Sequence, residues 1–466
     1  MACGYVAEAV DAPATSISPR LPHAPVSCRC AMLANSAPYV MYTEEFWSST
    51  EGQTIAWRYR HLRTRRLLLH GEPLRHGTKT DKRRRADDFK HGVSQLAEVR
   101  QGPLTGPVAL DLDFHTSADQ PPHLYHLAKR YLDLLGAAPP KAPAGGHRYL
   151  LYRDDRQVHL LHVRVWQPLG QTPGGVPANT AVLARPLRDV VADLDLADVL
   201  RNLIDDHDEE SPFHVPEVPD VDLTPTFDLR TASGPAERQR WSDLNMWLQL
   251  HDRSRVQEAL LAANDALVAS VLSRSTTLIN RTRRPGNSND LFNSIAESDR
   301  DMLLSNVLHI PLPSLPGAKG ERPVFRDGLR DQLKRWTRRW PVLNPLLVPV
   351  KAILLVVPPP NGKDLDNLVR DDVLPAVHEV LTPQLTPWIT RFPQLTLDQQ
   401  AGWRSQERQL RQLQQSSVNA YEVIQLTRVP DDPPNGFLRL VLGSGTTSGS
   451  TWSRLAGFVE RHMDRT

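Results

Sequence analysis

The amino-acid sequence predicts an α+β protein with two related domains, each a mixed sheet packed with helices, and a helical insert between them. Apolar residues alternate over 108–114, which is typical of a half-buried strand. Residues 350–357 form an apolar run that ends at prolines, which is typical of a buried strand. The order strand, basic loop, helix, strand, proline turn, helix and strand occurs twice, about 240 residues apart, so two fused domains are expected rather than an array of short repeats.

The composition is that of a globular protein without a membrane span. The chain has 466 residues, of which 40% are hydrophobic and 23% are charged. No apolar run approaches the roughly 20 residues that a membrane helix needs, and no secretory signal begins the sequence, so we expect a cytoplasmic protein. Cys3, Cys28 and Cys30 all lie near the beginning of the sequence and lack the spacing of a zinc site, so incidental thiols are expected.

The first half of the sequence predicts a disordered lead over 1–45 and a first domain over 46–170. Residues 1 to about 40 are rich in Ala, Pro and Ser and show no period. The elements that we expect after them are a strand over 66–70, a basic loop over 79–85, a helix over 87–100, a strand over 108–114, a helix from 124 and a strand from 158.

The second half predicts an insert over 171–300 and a second domain over 301–466. Helices over 194–204 and 254–274 indicate the insert, which is either a linker domain or a pair of helical arms packed on the repeats. The elements expected after it are strands over 307–312, 350–357, 421–427 and 436–442, and helices over 327–340 and from 364. Trp336 and Trp340 share the leucine face of their helix, so both are interpreted as core residues.

The segment Asp364-Leu365-Asp366-Asn367 has the residue types of a magnesium site. Two carboxylates two residues apart point to one side of an extended chain, and they repel each other unless a cation lies between them. Mg²⁺ takes oxygen ligands and usually needs only one or two protein carboxylates plus a substrate phosphate. Asn367 is expected to cap the following helix, and Arg370 lies one turn beyond Asp366 on the same face. A capped helix start with acids in its first turn is the alternative.

The order of elements around this segment resembles that of the RusA-like Holliday junction resolvases. The resemblance covers about 65–166 and 305–442 and leaves the lead and the insert without a counterpart. It implies a dimer that cuts four-way DNA junctions with Mg²⁺. The resemblance also implies a site with an Asp-x-Asp pair, a basic residue four positions after the second Asp, and an aspartate from a later Asp-Asp-x-Gln motif.

Neither copy of this pattern is complete. The second copy has Asp364, Asp366 and Arg370, but its later strand lacks the aspartate, for which Glu422 is a candidate substitute. The first copy has Lys129 at the basic position and a full Asp154-Asp155-Arg156-Gln157 motif, but its segment His123-Leu124-Tyr125-His126 has lost the acid pair. A second histidine pair follows at 159 and 162. These histidines lack the further ligands of a metal set, so a histidine site is not favoured.

The complementary losses predict one composite metal site across an intramolecular pseudo-dimer. The metal ligands are expected from Asp364, Asp366, Asp154 and Asp155, and the catalytic set from Asp364, Asp366, Arg370, Asp155 and Lys129. The residues expected to track DNA phosphates are Lys82, Arg83, Arg84, Arg330, Lys334, Arg335 and Arg338. The alternative is that both copies have decayed to a scaffold that binds DNA without cutting it. The sequence leaves open whether the chain forms an oligomer larger than the pseudo-dimer.

Overall fold

The computed structural model of the chain describes residues 7–9, 46–47, 49–74, 79–118, 123–136, 149–166, 177–201, 209–220, 230, 233–274, 309–312, 315–316, 319–357, 369–382, 397–425 and 434–463. The side chains of 79–85 and of a few other positions in these ranges are outside the description. In the part of the chain that is described, no helix is long and apolar enough to cross a membrane.

One nine-stranded mixed sheet runs through the centre of the molecule, in the order β1-β2-β5-β3-β4-β8-β7-β9-β6. The strands are β1 (Ala7–Ala9), β2 (Arg65–His70), β3 (Val108–His115), β4 (Val158–Trp166), β5 (Asn179–Pro186), β6 (His309–Pro311), β7 (Val350–Val357), β8 (Val418–Gln425) and β9 (Phe437–Ser444). The predicted α+β class with a mixed sheet is therefore confirmed.

The strand pattern of the first half recurs in the second half. Strand β3 pairs in parallel with β4 and antiparallel with β5, and β7 pairs in the same way with β8 and β9. Both parallel pairs have a register shift at the same place, Val108/Ala109 and Val350/Lys351. The antiparallel pairing of β4 with β8, which we call the central junction, joins the halves. An antiparallel junction relates the two patterns by a half-turn.

Helices cover both faces of the sheet. One face, here called the pocket face, packs against α2 (Lys79–Ser94), α4 (Leu124–Gly136), α7 (Arg322–Arg339) and α8 (Leu374–Leu381). The opposite face packs against α1 (Thr50–His61), α5 (Leu187–Arg201), α6 (Pro235–Arg274) and α10 (Thr451–Met463). Helix α3 (Ala97–Arg100) is a single turn after α2, and α9 (Leu397–Gln415) packs beside the first half of α6 through Trp403 and Leu250.

The two halves share their hydrophobic core. On the pocket face, one continuous cluster includes Leu112 and Val163 from the first half and Leu354 and Leu440 from the second. All eight residues of β7 are buried, which explains why seven of them are apolar, Lys351 being the exception. Burying each Leu or Val side chain contributes about 1.5–3 kcal/mol, so separating the halves would expose a large fraction of the stabilising surface.

Three sequence predictions differ from the structure. Residues 179–186, assigned to the helical insert, form strand β5 between β2 and β3, because this segment supplies the antiparallel partner of both. The insert helices α5 and α6 pack on the sheet as arms. Residues 79–85, predicted as a loop, lie in helix α2. Within the lead predicted as disordered, Ala7–Ala9 pair with the edge of β2. Strands β2, β3, β4, β6, β7, β8 and β9 are confirmed, as is the burial of Trp336 on α7.

Candidate functional site: a basic pocket that joins the two halves

The predicted acid pair lies outside the described residues. Asp364, Asp366 and the proposed cap Asn367 all belong to the undescribed segment 358–368. Lys82, Arg83 and Arg84 lie in α2, but their side chains are not described. The geometry of the site is therefore built from Asp154, Asp155, Lys129, Arg370 and the residues around them.

Asp154 and Asp155 lie in a short 3₁₀ turn, Asp155–Gln157, that precedes β4. Asp154 caps this turn: its Oδ1 accepts a hydrogen bond from the backbone N–H of Arg156 at 2.9 Å. The Gln157 side chain accepts one in return from the backbone N–H of Asp154 at 3.2 Å. The bond from the Arg156 backbone lowers the pKa of Asp154. This capping role occupies Asp154, so Asp155 is the more available carboxylate of the pair.

Lys129 and Asp155 of the first half form a direct ion pair. Lys129 Nζ on α4 lies 3.3 Å from Asp155 Oδ2, and also 3.9 Å from Asp133 Oδ1 one turn along the same helix. The Asp155 side chain is 38% exposed. The first half therefore brings together Lys129 and Asp155, the basic residue and the later aspartate of the sequence pattern. Asp155 stays accessible to solvent.

Arg370 of the second half lines the same pocket as Lys129. This pocket, of about 380 Å³, lies between α2 and α4. Its basic lining residues are Lys90, His126, Lys129, Arg130 and Arg370, and its acidic ones are Asp87 and Asp133. Lys129 and Arg370 occupy the same position in the two copies of the sequence pattern. Four lysine and arginine side chains and one histidine line this concave surface, which favours an anionic ligand.

The predicted basic face of α7 is only partly available. Arg330 Nη2 lies 2.8 Å from Glu379 Oε2, and its Nη1 lies 3.3 Å from Asp327 Oδ1. These two acids offset its charge locally. Lys334, Arg335 and Arg338 are exposed on the same helix. The phosphate-tracking prediction is therefore favoured for these three residues more than for Arg330.

Glu422 cannot replace the missing aspartate, which corrects the sequence interpretation. Side chains alternate across a strand, and Glu422 points to the face opposite the pocket, where its side chain is fully buried. Its two oxygens accept bonds from the backbone N–H of Thr451 at 3.0 Å and from the Thr451 hydroxyl at 2.7 Å, at the start of α10. The ammonium of Lys351 lies 3.2 Å away.

Glu422 belongs to a network of buried charged side chains at the central junction. This network was not among the sequence predictions. His162 pairs with Glu422 in the β4–β8 register, and its ring nitrogens lie 3.6 Å from Glu422 and 3.5 Å from Asp113. Lys351 Nζ lies 2.7 Å from Asp265 of α6. Burial lowers the pKa of His162, but the neighbouring carboxylates of Asp113 and Glu422 outweigh it and raise the pKa to about 9. A lysine inside the apolar run of β7 was the available sequence signal.

Asp111 adds a second titrating group to this network. The carboxyl group is buried on β3, where its Oδ2 accepts a hydrogen bond from the Ser450 hydroxyl at 2.8 Å. Burial is the main cause that raises the pKa of Asp111 to about 7, and the charge of His162 partly opposes it. The group therefore changes its charge near neutral pH inside the folded protein.

Among the residues that the structure describes, no group of three histidine, cysteine or acidic side chains is arranged to hold a metal ion. Comparisons with protein-family models, with curated proteins and with solved structures find no match to this chain. The functional assignment therefore depends on the sequence pattern and on the geometry of the basic pocket.

Proposed function

We propose that this chain is a Mg²⁺-dependent endonuclease that cuts four-way or similar branched DNA, with two RusA-like halves acting as an intramolecular pseudo-dimer. The observation that supports this most is the convergence of Lys129 and Arg370 on one pocket. Each comes from the same position of the sequence pattern in its own half. A single composite site built from two incomplete copies needs this kind of convergence.

Covalent geometry is consistent with a contribution from the acid pair to this site. Asp366 precedes Arg370 by four residues. A fully extended chain spans at most about 3.6 Å per residue, so the Cα atoms of these residues are no more than about 14 Å apart. Asp155 approaches the pocket from the first half through its ion pair with Lys129. The length of chain between Asp366 and Arg370 thus permits the proposed meeting of ligands from the two halves at one phosphate.

The distribution of charge on the pocket face favours a nucleic acid. Helix α2 has six basic residues against three acidic ones, and α7 has seven against two. Both helices pack on the same face of the sheet, one in each half. Two basic helices related by a half-turn suit a substrate with two phosphate backbones. Contacts between basic side chains and phosphates contribute affinity and register rather than sequence selectivity.

The residues of the chain have distinct roles in the proposed reaction. Lys129 and Arg370 bind the scissile phosphate and offset the charge that develops on it in the transition state. Asp155, an accessible carboxylate at the edge of the pocket, fits Mg²⁺ as one oxygen ligand. Asp364 and Asp366 are the other proposed ligands. When bound, the metal ion supplies Lewis acidity toward the phosphate and a more acidic water.

A DNA-binding scaffold without cleavage is the second candidate. The existing contacts of two proposed ligands favour it, because Asp154 caps its turn and Asp155 is paired with Lys129. Both candidates predict junction binding that weakens with salt. They differ in one property: only the nuclease produces nicks that require Mg²⁺.

The test is cleavage of a labelled synthetic four-way junction with Mg²⁺ or with EDTA. We expect nicks only with Mg²⁺, and their loss in Asp366→Asn and in Asp155→Asn. Asp331→Asn on α7 changes the charge equally at an exposed position away from the pocket lining and is the matched control. Full cleavage by Asp155→Asn would disprove the composite site. Junction binding without any metal-dependent nicking would favour the scaffold, and absence of junction binding would refute both.

A further inference from the structure

Five side chains of alternating charge connect helix α7 with the basic pocket. At the inner end, the carboxylate of Asp372 accepts hydrogen bonds from Arg326 and from Arg322, the latter through Nε at 2.8 Å and Nη2 at 2.6 Å. Arg322 Nη2 also lies 3.4 Å from Asp371 Oδ2. At the outer end, Asp371 Oδ1 accepts a hydrogen bond from Arg370 Nε at 2.8 Å. The order along this charge chain is therefore cation, anion, cation, anion, cation.

The charge chain is anchored in the protein at one end and reaches the pocket at the other. The side chain of Asp372 is fully buried, whereas those of Asp371 and Arg370 are 35% and 20% exposed. A buried carboxylate with two arginine partners is costly to rearrange, because moving the arginines away would leave a buried charge unpaired. Residues 370–372 all lie in a five-residue π-helical turn, Val369–Val373, a rare geometry that occurs often at functional sites.

Asp371 has a charge that is unfavourable for an anionic ligand beside Arg370. Its hydrogen bond from Arg370 is the main cause of a lowered pKa, so the carboxyl group is ionised at neutral pH. Electrostatic repulsion alone therefore predicts that removing this charge strengthens phosphate binding. Orientation has the opposite effect, because a bond to Nε fixes the plane of the guanidinium and with it the direction of the donors that bind phosphate.

We propose that Asp371, held by Arg322, is a positioning residue that orients Arg370 toward a phosphodiester group in the basic pocket. This inference rests on the proposed nucleic-acid substrate and extends it to the second half of the chain. Through Asp372, the orientation of Arg370 also depends on α7, the helix with exposed Lys334, Arg335 and Arg338. Phosphate contacts along α7 and in the pocket are thereby part of one structural unit.

The sign of the effect of Asp371→Asn on DNA binding tests the proposal. Affinity for a fluorescent four-way junction is measured by anisotropy without Mg²⁺, so that cleavage does not interfere. We expect binding about fivefold weaker for Asp371→Asn, because the lost orientation of Arg370 outweighs the gain from removing a negative charge, and about wild-type affinity for Asp371→Glu. Asp331→Asn, with the same change of charge on α7, is expected to bind as well as the wild type or more tightly. Binding by Asp371→Asn that is unchanged or tighter would overturn the proposal.

A second measurement reads the orientation of Arg370 without DNA. Labelling of arginines by phenylglyoxal, followed by mass spectrometry, should modify Arg370 at least about twofold faster in Asp371→Asn than in the wild type or in Asp331→Asn, because the ion pair that protects it is lost. An unchanged labelling rate would refute the positioning role whatever the binding result. If the wild type does not bind the junction at all, the proposed function fails, and labelling still decides whether Asp371 holds Arg370.

Discussion

Replacing Asp111 with Asn should make the protein less sensitive to alkaline pH. Asp111 is buried on β3, and burial raises its pKa from the ordinary value of 3.8 to about 7 in the folded protein. The folded state therefore binds this proton more tightly than the unfolded state does. An acid of this kind lowers the free energy of unfolding as pH rises from its unfolded pKa to its folded pKa, and the loss is complete above the folded value.

The magnitude follows from the difference between the two pKa values. A difference of about three pKa units at 1.36 kcal/mol each corresponds to a total loss of about 4 kcal/mol. Between about pH 5 and about pH 8 the part of this loss that occurs is about 2–3 kcal/mol. Asparagine has nearly the same shape and no charge, so we expect the variant to gain that amount relative to the wild type over this interval.

Urea unfolding followed by circular dichroism across this pH interval measures the effect, provided that the transition is cooperative. The informative quantity is the difference between variant and wild type at each pH, because titrating groups that do not interact with Asp111 contribute equally to both. Asp327→Asn, at an exposed position on α7, is the control and should show a difference that does not change with pH. A difference for Asp111→Asn that is constant, or that falls with rising pH, would refute the argument from burial.

Three further predictions concern the network and the pocket. Lys351→Met should cost about 3–5 kcal/mol, measured by urea unfolding, because it leaves Asp265 and Glu422 buried without their cation; a cost below about 1 kcal/mol would contradict the ion pairs. The raised pKa of His162 stabilises the wild type by about 3 kcal/mol below pH 6.5, and this contribution is lost as the pH rises toward about 9. His162→Gln should lack this pH-dependent part of the free energy of unfolding. Lys129→Gln should weaken junction binding for all sequences and reduce the slope of log affinity against log salt by about 1, measured by anisotropy; an unchanged slope would exclude a phosphate contact.

The strands that the sequence predicted well are those whose burial on one or both faces is visible locally. Residues 350–357 are apolar except for Lys351 because every one of them is buried in β7, and the predicted bounds match the structure. Residues 108–114 alternate because their apolar side chains enter the pocket-face core, whereas Asp111 and Asp113 on the other face belong to the buried charge network. Strand β5 was missed because its role as the partner of both β2 and β3 comes from long-range pairing, which a local period does not report.

The candidate site was predictable in its residue types more than in its geometry. The complementary losses in the two copies predicted a composite metal site, which stays a prediction, and the two basic residues of the pattern, Lys129 and Arg370, line one pocket. The suggestion of Glu422 as a substitute ligand ignored strand parity: its neighbours Tyr421 and Val423 are apolar residues of the pocket-face core, so Glu422 has to face the other way. The partners that orient Arg370 come from α7 and could not be inferred from spacing, because no local pattern relates Arg322 to Asp371.

The central junction explains why the two halves of this chain have different chemistry although they share one strand pattern. His162 lies four residues after the start of β4 and Glu422 lies four residues after the start of β8, so they occupy equivalent positions and also face each other across the junction. Two identical halves would place like residues there, and like charges directly opposite each other destabilise a strand pair. A fused chain permits an acid in one half and a base in the other. The same freedom allows a site on the pocket face to draw different residues from each half, as the convergence of Lys129 and Arg370 requires.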